Sequence, residues 1–418
     1  MSLRACCHEI RYSLSPMLSR RHVLLRSGCA LAAAVTRVRA DTVADGVTVL
    51  RASAAGFDGA VSGGPVIRAR RGDVIKVRLV NGLDEPMTLH WHGVRVPNAM
   101  DGGAPLTGPL VAPGESFDYR FPVPDAGTFW YRAARRAQQE RGLYGALIVA
   151  ETALPPVDQD HPLVFGDRRS DGDGKRQFTL NGAASLDISV RPNERLRLRF
   201  VNASVTQVMD ARIEDHRVFV MALDGEPAEP FTSRDGRIAL GPGNRADILV
   251  DATLAPGSIA PIMFPLAGGE KPLARLVCGG APARTAPLGE PAPLPANPLP
   301  ARMNFSRALR ATLPIEAGSA PAPAQFPPAL FVVERGRTVM MALDNRDAAA
   351  HVVHLHGHHF RLLDRLDDGW KPYWLDTIVV PGRQTSRIAF VADNPGRWLI
   401  EQHARDGPAA GVSWFEVR

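Results

Sequence analysis

The sequence predicts an all-β protein made of three tandem β-sandwich units, and three observations carry that reading. One stretch recurs: "RGDVIKVRLVN" (71–81), "PNERLRLRFVN" (192–202) and "RGRTVMMALDN" (335–345) each set a turn before in–out alternation, the period of a half-buried strand. A later stretch recurs as well: "APGESFDYRF" (112–121), "GPGNRADILV" (241–250) and "VPGRQTSRIAF" (380–390) each place a Pro-Gly turn before another alternating strand. Finally, 38 Gly and 36 Pro in 418 residues favour many short strands joined by turns over long helices. Antiparallel sandwiches are the architecture expected of units this long.

In chain order, residues 1–40 read as an export leader. "SRRHVLL" (19–25) has the twin-arginine form, "CALAAAV" (29–35) is a short apolar run, and "VRA" (38–40) has small residues suited to cleavage after about Ala40. The run is too short to span a bilayer, so no membrane span is expected, and the predicted location is the periplasm. The leader also explains the net charge of +6: it holds seven Arg and one Glu, and the remaining 42 basic and 42 acidic residues cancel. No nucleic-acid partner is therefore expected. Cys6, Cys7 and Cys29 leave with the leader, so Cys278 alone remains and no internal disulfide can form.

The first unit is expected over 41–152, the second over 153–280 and the third over 329–418. Between the last two, residues 281–328 ("APLGEPAPLPANPLP", "SAPAPAQFPP") read as a Pro/Ala-rich linker.

The repeat register places the histidines. Nine and eleven residues past Asn81 are His90 and His92; the same steps past Asn345 reach His354 and His356; past Asn202 they reach Ala211 and Ile213. Residues i and i+2 of a strand share a face, so each His-x-His offers two imidazoles side by side. One such pair alone is an ordinary surface strand. Two pairs in matching register imply that units one and three meet there, across a pseudo-twofold, to hold a metal. Clustered imidazoles favour copper, zinc or nickel over calcium or magnesium.

With "HWHG" and "HLHGHHF" on repeated β-units, the chain resembles the laccase-like multicopper oxidases, proteins of three cupredoxin domains with Greek-key topology. The resemblance extends to "VPNAMDGG" (96–103), "DAGTFWY" (125–131), "RGLYGALIV" (141–149) and "VRPNERLRLRFVNAS" (190–204). It implies four His-x-His elements whose eight imidazoles hold a three-copper cluster that reduces O2. It also implies a separate type 1 copper on a Cys, two His and usually a Met.

Several of those positions depart from the pattern. Where the family has His-x-His at 132 and 134, this chain has Arg132 and Ala134; where it has His-Cys-His at 401–403, this chain has Glu401, Gln402 and His403. The family's second type 1 His falls at Gly407 and its Met at Val412, which leaves His351 as an orphan of that site. The type 2 ligands His90 and His354 remain, and of the type 3 set His92, His356 and His403 remain. The expected consequence is a residual cluster of these five histidines, holding one copper or zinc ion or none. An Arg132–Glu401 ion pair is expected to fill the space of the type 3 coppers, since a buried Arg needs a partner. The alternative is that Arg132 swings to solvent with Arg135 and Arg136.

Asp101, in "MDGG", matches an acidic residue near the family's cluster and would orient a metal-bound water; as an Asp-Gly pair it also reads as a plain turn. His358 and His359 are expected to satisfy backbone or interface groups, and His161 and His216 to be structural. Trp130, Tyr131, Trp398, Trp414 and Phe415 read as core aromatics. Three functions follow: a mononuclear metal protein, a copper-free scaffold with a cell-envelope protein partner, as in the family's division-type relatives, or an oxidase acting on phenols or Cu(I). The last is disfavoured by the missing thiolate. One chain can build the interdomain site, so a monomer is expected.

Overall fold

The computed structural model describes residues 42–43, 46–59, 63–169, 176–266, 269–316, 326–363, 373–404 and 409–418. The leader with Cys6, Cys7 and Cys29, and Gly407, lie outside them. Among the described residues no helix is long and apolar enough to cross a membrane.

Each unit is a pair of sheets around its own apolar core. In the first, Thr42–Val43, Val47–Ser53, Val74–Asn81 and Ser116–Pro122 form one sheet, with Gly56–Phe57 beside Val47–Ser53. Ile67–Arg70, Tyr144–Ala150, Gly127–Ala133 and Leu89–His92 form the other. The second unit repeats this plan, with Gln159–Arg169, Arg195–Asn202 and Arg245–Asp251 central to one sheet. Its other sheet carries Met209–Ile213 in the register of the His-x-His strands, and there Ala211 and Ile213 are apolar core. In the third, Leu309–Ile315, Thr338–Asn345, Thr385–Val391 and Arg361–Leu363 face Val332–Val333, Ala409–Val417, Gly396–Ala404, His351–Leu355 and Thr377–Val380.

Three expectations need correction. The sandwiches are mixed, not purely antiparallel: Val47–Ser53 runs parallel to Val74–Asn81, Gln159–Arg169 to Arg195–Asn202, and Leu309–Ile315 to Thr338–Asn345. In each unit the strand that directly precedes the second of the pair (Ile67–Arg70, Leu186–Val190 or Val332–Val333) lies in the opposite sheet, and a chain that crosses over and returns re-enters parallel. Next, the stretch 281–328 is not all linker. Leu309–Ile315 is an edge strand of the third unit, with Leu313 and Ile315 in its core. Its Pro314 is tolerated because an edge strand leaves one side unpaired.

The third correction concerns "RLRLRF". Its alternation reads as a half-buried strand, yet both faces are covered, and Arg195, Arg197 and Arg199 are fully buried. Arg199 reaches Thr128 of the first unit and Asp160 and Asp247 of the second, Arg197 pairs with Glu151 and Asp247, and Arg195 donates to Asp251 and to the carbonyls of Leu288 and Gly289. Neighbouring segments cover the face, and every guanidinium meets carboxylates there.

One side chain fixes the repeat. Asn81, Asn202 and Asn345 close the equivalent strands and all are buried. Asn81 Nδ2 donates to the carbonyls of Glu85 and Val111, each at 2.9 Å, while its Oδ1 accepts from Leu83 N at 3.0 Å. Asn202 makes the same three bonds, to Gln207, Leu240 and Ser204, and Asn345 makes them to Ala349, Val380 and Asp347. Each Asn thus pins the loop that leads to the His-x-His register onto the residue before the Pro-Gly segment.

Asn202→Ala removes this latch in the unit that carries no His-x-His strand. It orphans two carbonyls and one N–H, and a buried orphan costs about 1–3 kcal/mol. We expect a loss of about 3 kcal/mol in urea unfolding followed by circular dichroism; a change under about 1 kcal/mol would contradict the latch.

Candidate metal centre

The edge strand Leu89–His92 of the first unit meets His351–Leu355 of the third through their histidines. His90 Nε2 lies 3.0 Å from His354 Nε2. The glycine after each pair permits this approach. Gly93 (φ +82) and Gly357 (φ +64) adopt left-handed backbone, and a Cβ would collide with Arg245 and Asp376 at the first and with Trp398 at the second.

The second nitrogen of each ring fixes its tautomer. His90 Nδ1 lies 3.1 Å from the Asp101 carbonyl, and His354 Nδ1 lies 3.1 Å from the Asp376 carbonyl. A carbonyl only accepts, so both Nδ1 atoms carry the proton and donate. Both Nε2 atoms are then bare lone pairs facing each other at 3.0 Å. Such an arrangement calls for a cation between them, and metal–imidazole bonds of about 2.0 Å fit that gap.

His92 completes the group. The Thr377 hydroxyl donates to Asp376 Oδ1 at 2.7 Å, so its oxygen accepts from His92 Nε2 at 2.9 Å. That leaves His92 Nδ1 buried with no hydrogen-bond partner. The His92 ring stacks on His354 with centroids 3.6 Å apart, and His90, His92 and His354 each offer a ligand atom within 4.8 Å of the others. Burial pushes His90 down to about 3 and His354 to about 4, and holds His92 well below its ordinary value, so all three are neutral and metal-ready near neutral pH.

The other half of the interface is ionic. Arg132 bonds to Glu401 through Nη2 and Oε2. Cross-strand pairing explains the geometry: Arg132 lies opposite His90, and Glu401 lies opposite His354. His356 Nδ1 sits 3.0 Å from both oxygens of Asp101, and its Nε2 sits 3.4 Å from Glu401 Oε1. Burial works against the His356 charge, yet Asp101 and Glu401 raise it to about 9. Despite burial, Glu401 is held well below the usual carboxylate range, chiefly by Arg132, and Asp101 likewise, chiefly by His356. Asp101, His356, Glu401 and Arg132 therefore form a chain of alternating charge. Asp101 also touches His90 through its carbonyl, so it joins the ionic half to the imidazole half.

His403 lines the same cavity of about 190 Å³ as His92, Arg132, His354, Glu401 and Val412, but is not within the three-histidine group. Burial pushes it down to about 4. His351 is not part of the group either; its Nε2 pairs with Asp347 Oδ2 at 2.9 Å. Gln402 donates to Ser413 Oγ at 3.2 Å. Cys278, the one free cysteine among the described residues, is buried in the core of the second unit. His358 lies in the third core, with Nδ1 on the His356 carbonyl, its ring against Phe390, Trp398 and Phe415, and its Nε2 without a hydrogen-bond partner.

Sequence reasoning missed Asp376 and Thr377, which orient His92 and His354. Their only signal was the polar pair in "LDTIVV" beside the His-x-His strand. It also missed Asp347 as the His351 partner.

Three sandwich units with imidazole pairs facing across the first and third define a cupredoxin-type protein with an interdomain histidine site. The chain belongs to the multicopper oxidase family: family models described as multicopper oxidase match residues 39–153, 123–259 and 296–407. It is similar to the crystal structure of Lac15 from a marine microbial metagenome, at 31% identity and a TM-score of 0.75 over 89% of this chain and 98% of that one. A multi-copper oxidase from Pseudomonas thermotolerans aligns at 29% identity and a TM-score of 0.78 over 89% and 99% of the two chains. Multicopper oxidase MmcO of Mycobacterium tuberculosis is 28% identical over 84% of this chain and 80% of its own. The family implies copper. Here His90, His354 and His92 are the residues that would hold an ion, and Arg132, Ala134, Glu401 and Gln402 supply no imidazole or thiolate.

Glu401→Gln leaves Arg132 without its anion, and breaking such a pair should cost about 3 kcal/mol in denaturant unfolding. Replacing both by Met should cost less than Glu401→Gln alone; equal losses would show that the pairing itself does not matter.

The pH profile of the metal-free protein follows from the same groups. His90, His92, His354, His358, His359 and His403 titrate lower folded than unfolded, so stability present above about pH 6.5 falls as the pH drops toward 4. His356 titrates higher folded, so its contribution is full below about pH 6.5 and is lost as the pH rises through about 9. The melting temperature in chelator should peak near neutrality, and a flat profile between about pH 5 and 7 would contradict the neutral, buried state of these histidines.

Proposed function

We propose that this is an exported protein of the multicopper-oxidase fold that does not run the standard four-copper reduction of O2 and instead holds one copper or zinc ion between its first and third units. His90 and His354 supply the primary bonds and His92 the third, while His356 and His403 border the site. One observation carries the reading: the bare Nε2 atoms of His90 and His354, 3.0 Å apart with their Nδ1 protons fixed on carbonyls. Support for the limit of one ion comes from Arg132, a permanent cation with no lone pair, bonded to Glu401 where the family pattern has further imidazoles.

The ion at this site would act as a Lewis acid toward a bound water or anion. This chain's residues would tune it: Asp101 joins His90 to the charged His356, and Asp376 and Thr377 hold His92 and His354 in place. A second reading, a copper-free scaffold with an envelope protein partner, draws on the Asp101–His356–Glu401–Arg132 chain, which satisfies half of the interface with no metal.

Copper loading followed by elemental analysis separates these readings. We expect a tightly held copper at this site, no intense blue thiolate band, and one copper equivalent fewer in the His90→Ala/His354→Ala double variant. No bound metal favours the scaffold. Four coppers with O2 consumption on a phenol or Cu(I) would overturn both.

A further inference from the structure

A second buried polar junction lies where the three units meet, built from residues the histidine interface does not use. Asp125 comes from the first unit, Glu226 from the second and His359 from the third, and their ligand atoms lie within 4.8 Å of one another. His359 Nε2 is 3.6 Å from Glu226 Oε1 and 3.7 Å from Asp376 Oδ2, and the side chains of His359 and Glu226 are 0% and 2% exposed. Neither ring nitrogen of His359 has a hydrogen-bond partner, and neither does Glu226 Oε1. Burying such groups unpaired is costly.

The His359–Glu226 separation is too long for a hydrogen bond. It suits donor atoms that share one small ion, since bonds of about 2.1 Å in tetrahedral array set donors about 3.4 Å apart. The flanking residues orient the donors. Arg95 grips both oxygens of Asp125 at 2.7 Å, and Asn297 Nδ2 holds Glu226 Oε2 at 3.0 Å, leaving Oε1 facing His359. The charge count points the same way. Four buried carboxylates, Asp125, Asp224, Glu226 and Asp376, are set against two guanidinium groups, Arg95 and Arg245.

We propose that Asp125, Glu226 and His359 form a structural site for one divalent transition-metal cation, a mixed nitrogen and oxygen set suited to zinc, which ties the three units together. The proposal stands independently of the reading of His90 and His354.

Zinc binding to the full chain tests it, with the His90→Ala/His354→Ala variant as the parent so that the first site is absent. The parent should bind about one Zn(II) and gain several degrees in melting temperature. Adding Glu226→Gln or His359→Gln should weaken that binding at least 100-fold and remove the gain. X-ray absorption of zinc-loaded wild-type chain provides a readout that needs no variant: a component with one imidazole and carboxylate oxygens is expected beside any imidazole-rich one. A parent that binds no zinc, unchanged binding in both added variants, or an absorption spectrum with imidazole-rich zinc alone would overturn the proposal.

Discussion

The structure depends on a buried asparagine used three times. By fastening the end of one strand to the loop after it and to the residue before the Pro-Gly segment, Asn81, Asn202 and Asn345 set the register of everything downstream. A one-residue slip would turn each His-x-His face to the wrong side. Because the latch is the same in units one and three, the two pairs arrive as equivalents, and their first imidazoles meet at 3.0 Å. In unit two the same latch delivers Ala211 and Ile213 to apolar core. The scaffold is therefore indifferent to what stands at those positions, and the chemistry is written onto it by substitution.

That indifference explains how the interface accommodates Arg132 and Glu401. Strand pairing places residue 132 opposite His90 and residue 401 opposite His354, so a change at either position lands inside the interface. A guanidinium alone there would be an unpaired buried cation. A carboxylate at the twofold-related position turns it into one link of a neutral chain with His356 and Asp101. The two halves of the interface thus differ in kind: one presents bare nitrogen lone pairs, the other has its charges already matched.

Much of this was legible in the sequence because it is periodic. The repeat gives three units, their register and the facing of His90 with His354. The same alignment that exposes the lost imidazoles at 132 and 401 also places Arg132 and Glu401 together. What was not legible depends on which segment covers which. The "RLRLRF" strand reads as half-buried until the first unit and the carbonyls of Leu288 and Gly289 close over its arginine face. Leu309–Ile315 hides in a Pro-rich stretch because its alternation spans only one short edge strand. Asp376, Thr377 and the junction of Asp125, Glu226 and His359 come from isolated positions in separate units, where no pattern links one residue to the next.

The distinction between holding an ion and passing electrons through it turns on sulfur. At position 402 a glutamine amide is bonded to Ser413, and the only cysteine among the described residues lies in the second unit's core, with Sγ directed to the Leu254 carbonyl. Neither can act as a soft anionic ligand beside His351, whose Nε2 is engaged by Asp347. An imidazole site built from His90 and His354 needs no such ligand, because neutral nitrogen donors suffice for a divalent ion. On the proposed reading the two properties have therefore separated in this chain. The lone pairs proposed to hold a metal are set by the latch and by the carbonyls beneath them, which are structural, whereas the positions at which the family pattern has the thiolate and the Met carry Gln402 and Val412 within an intact strand pair.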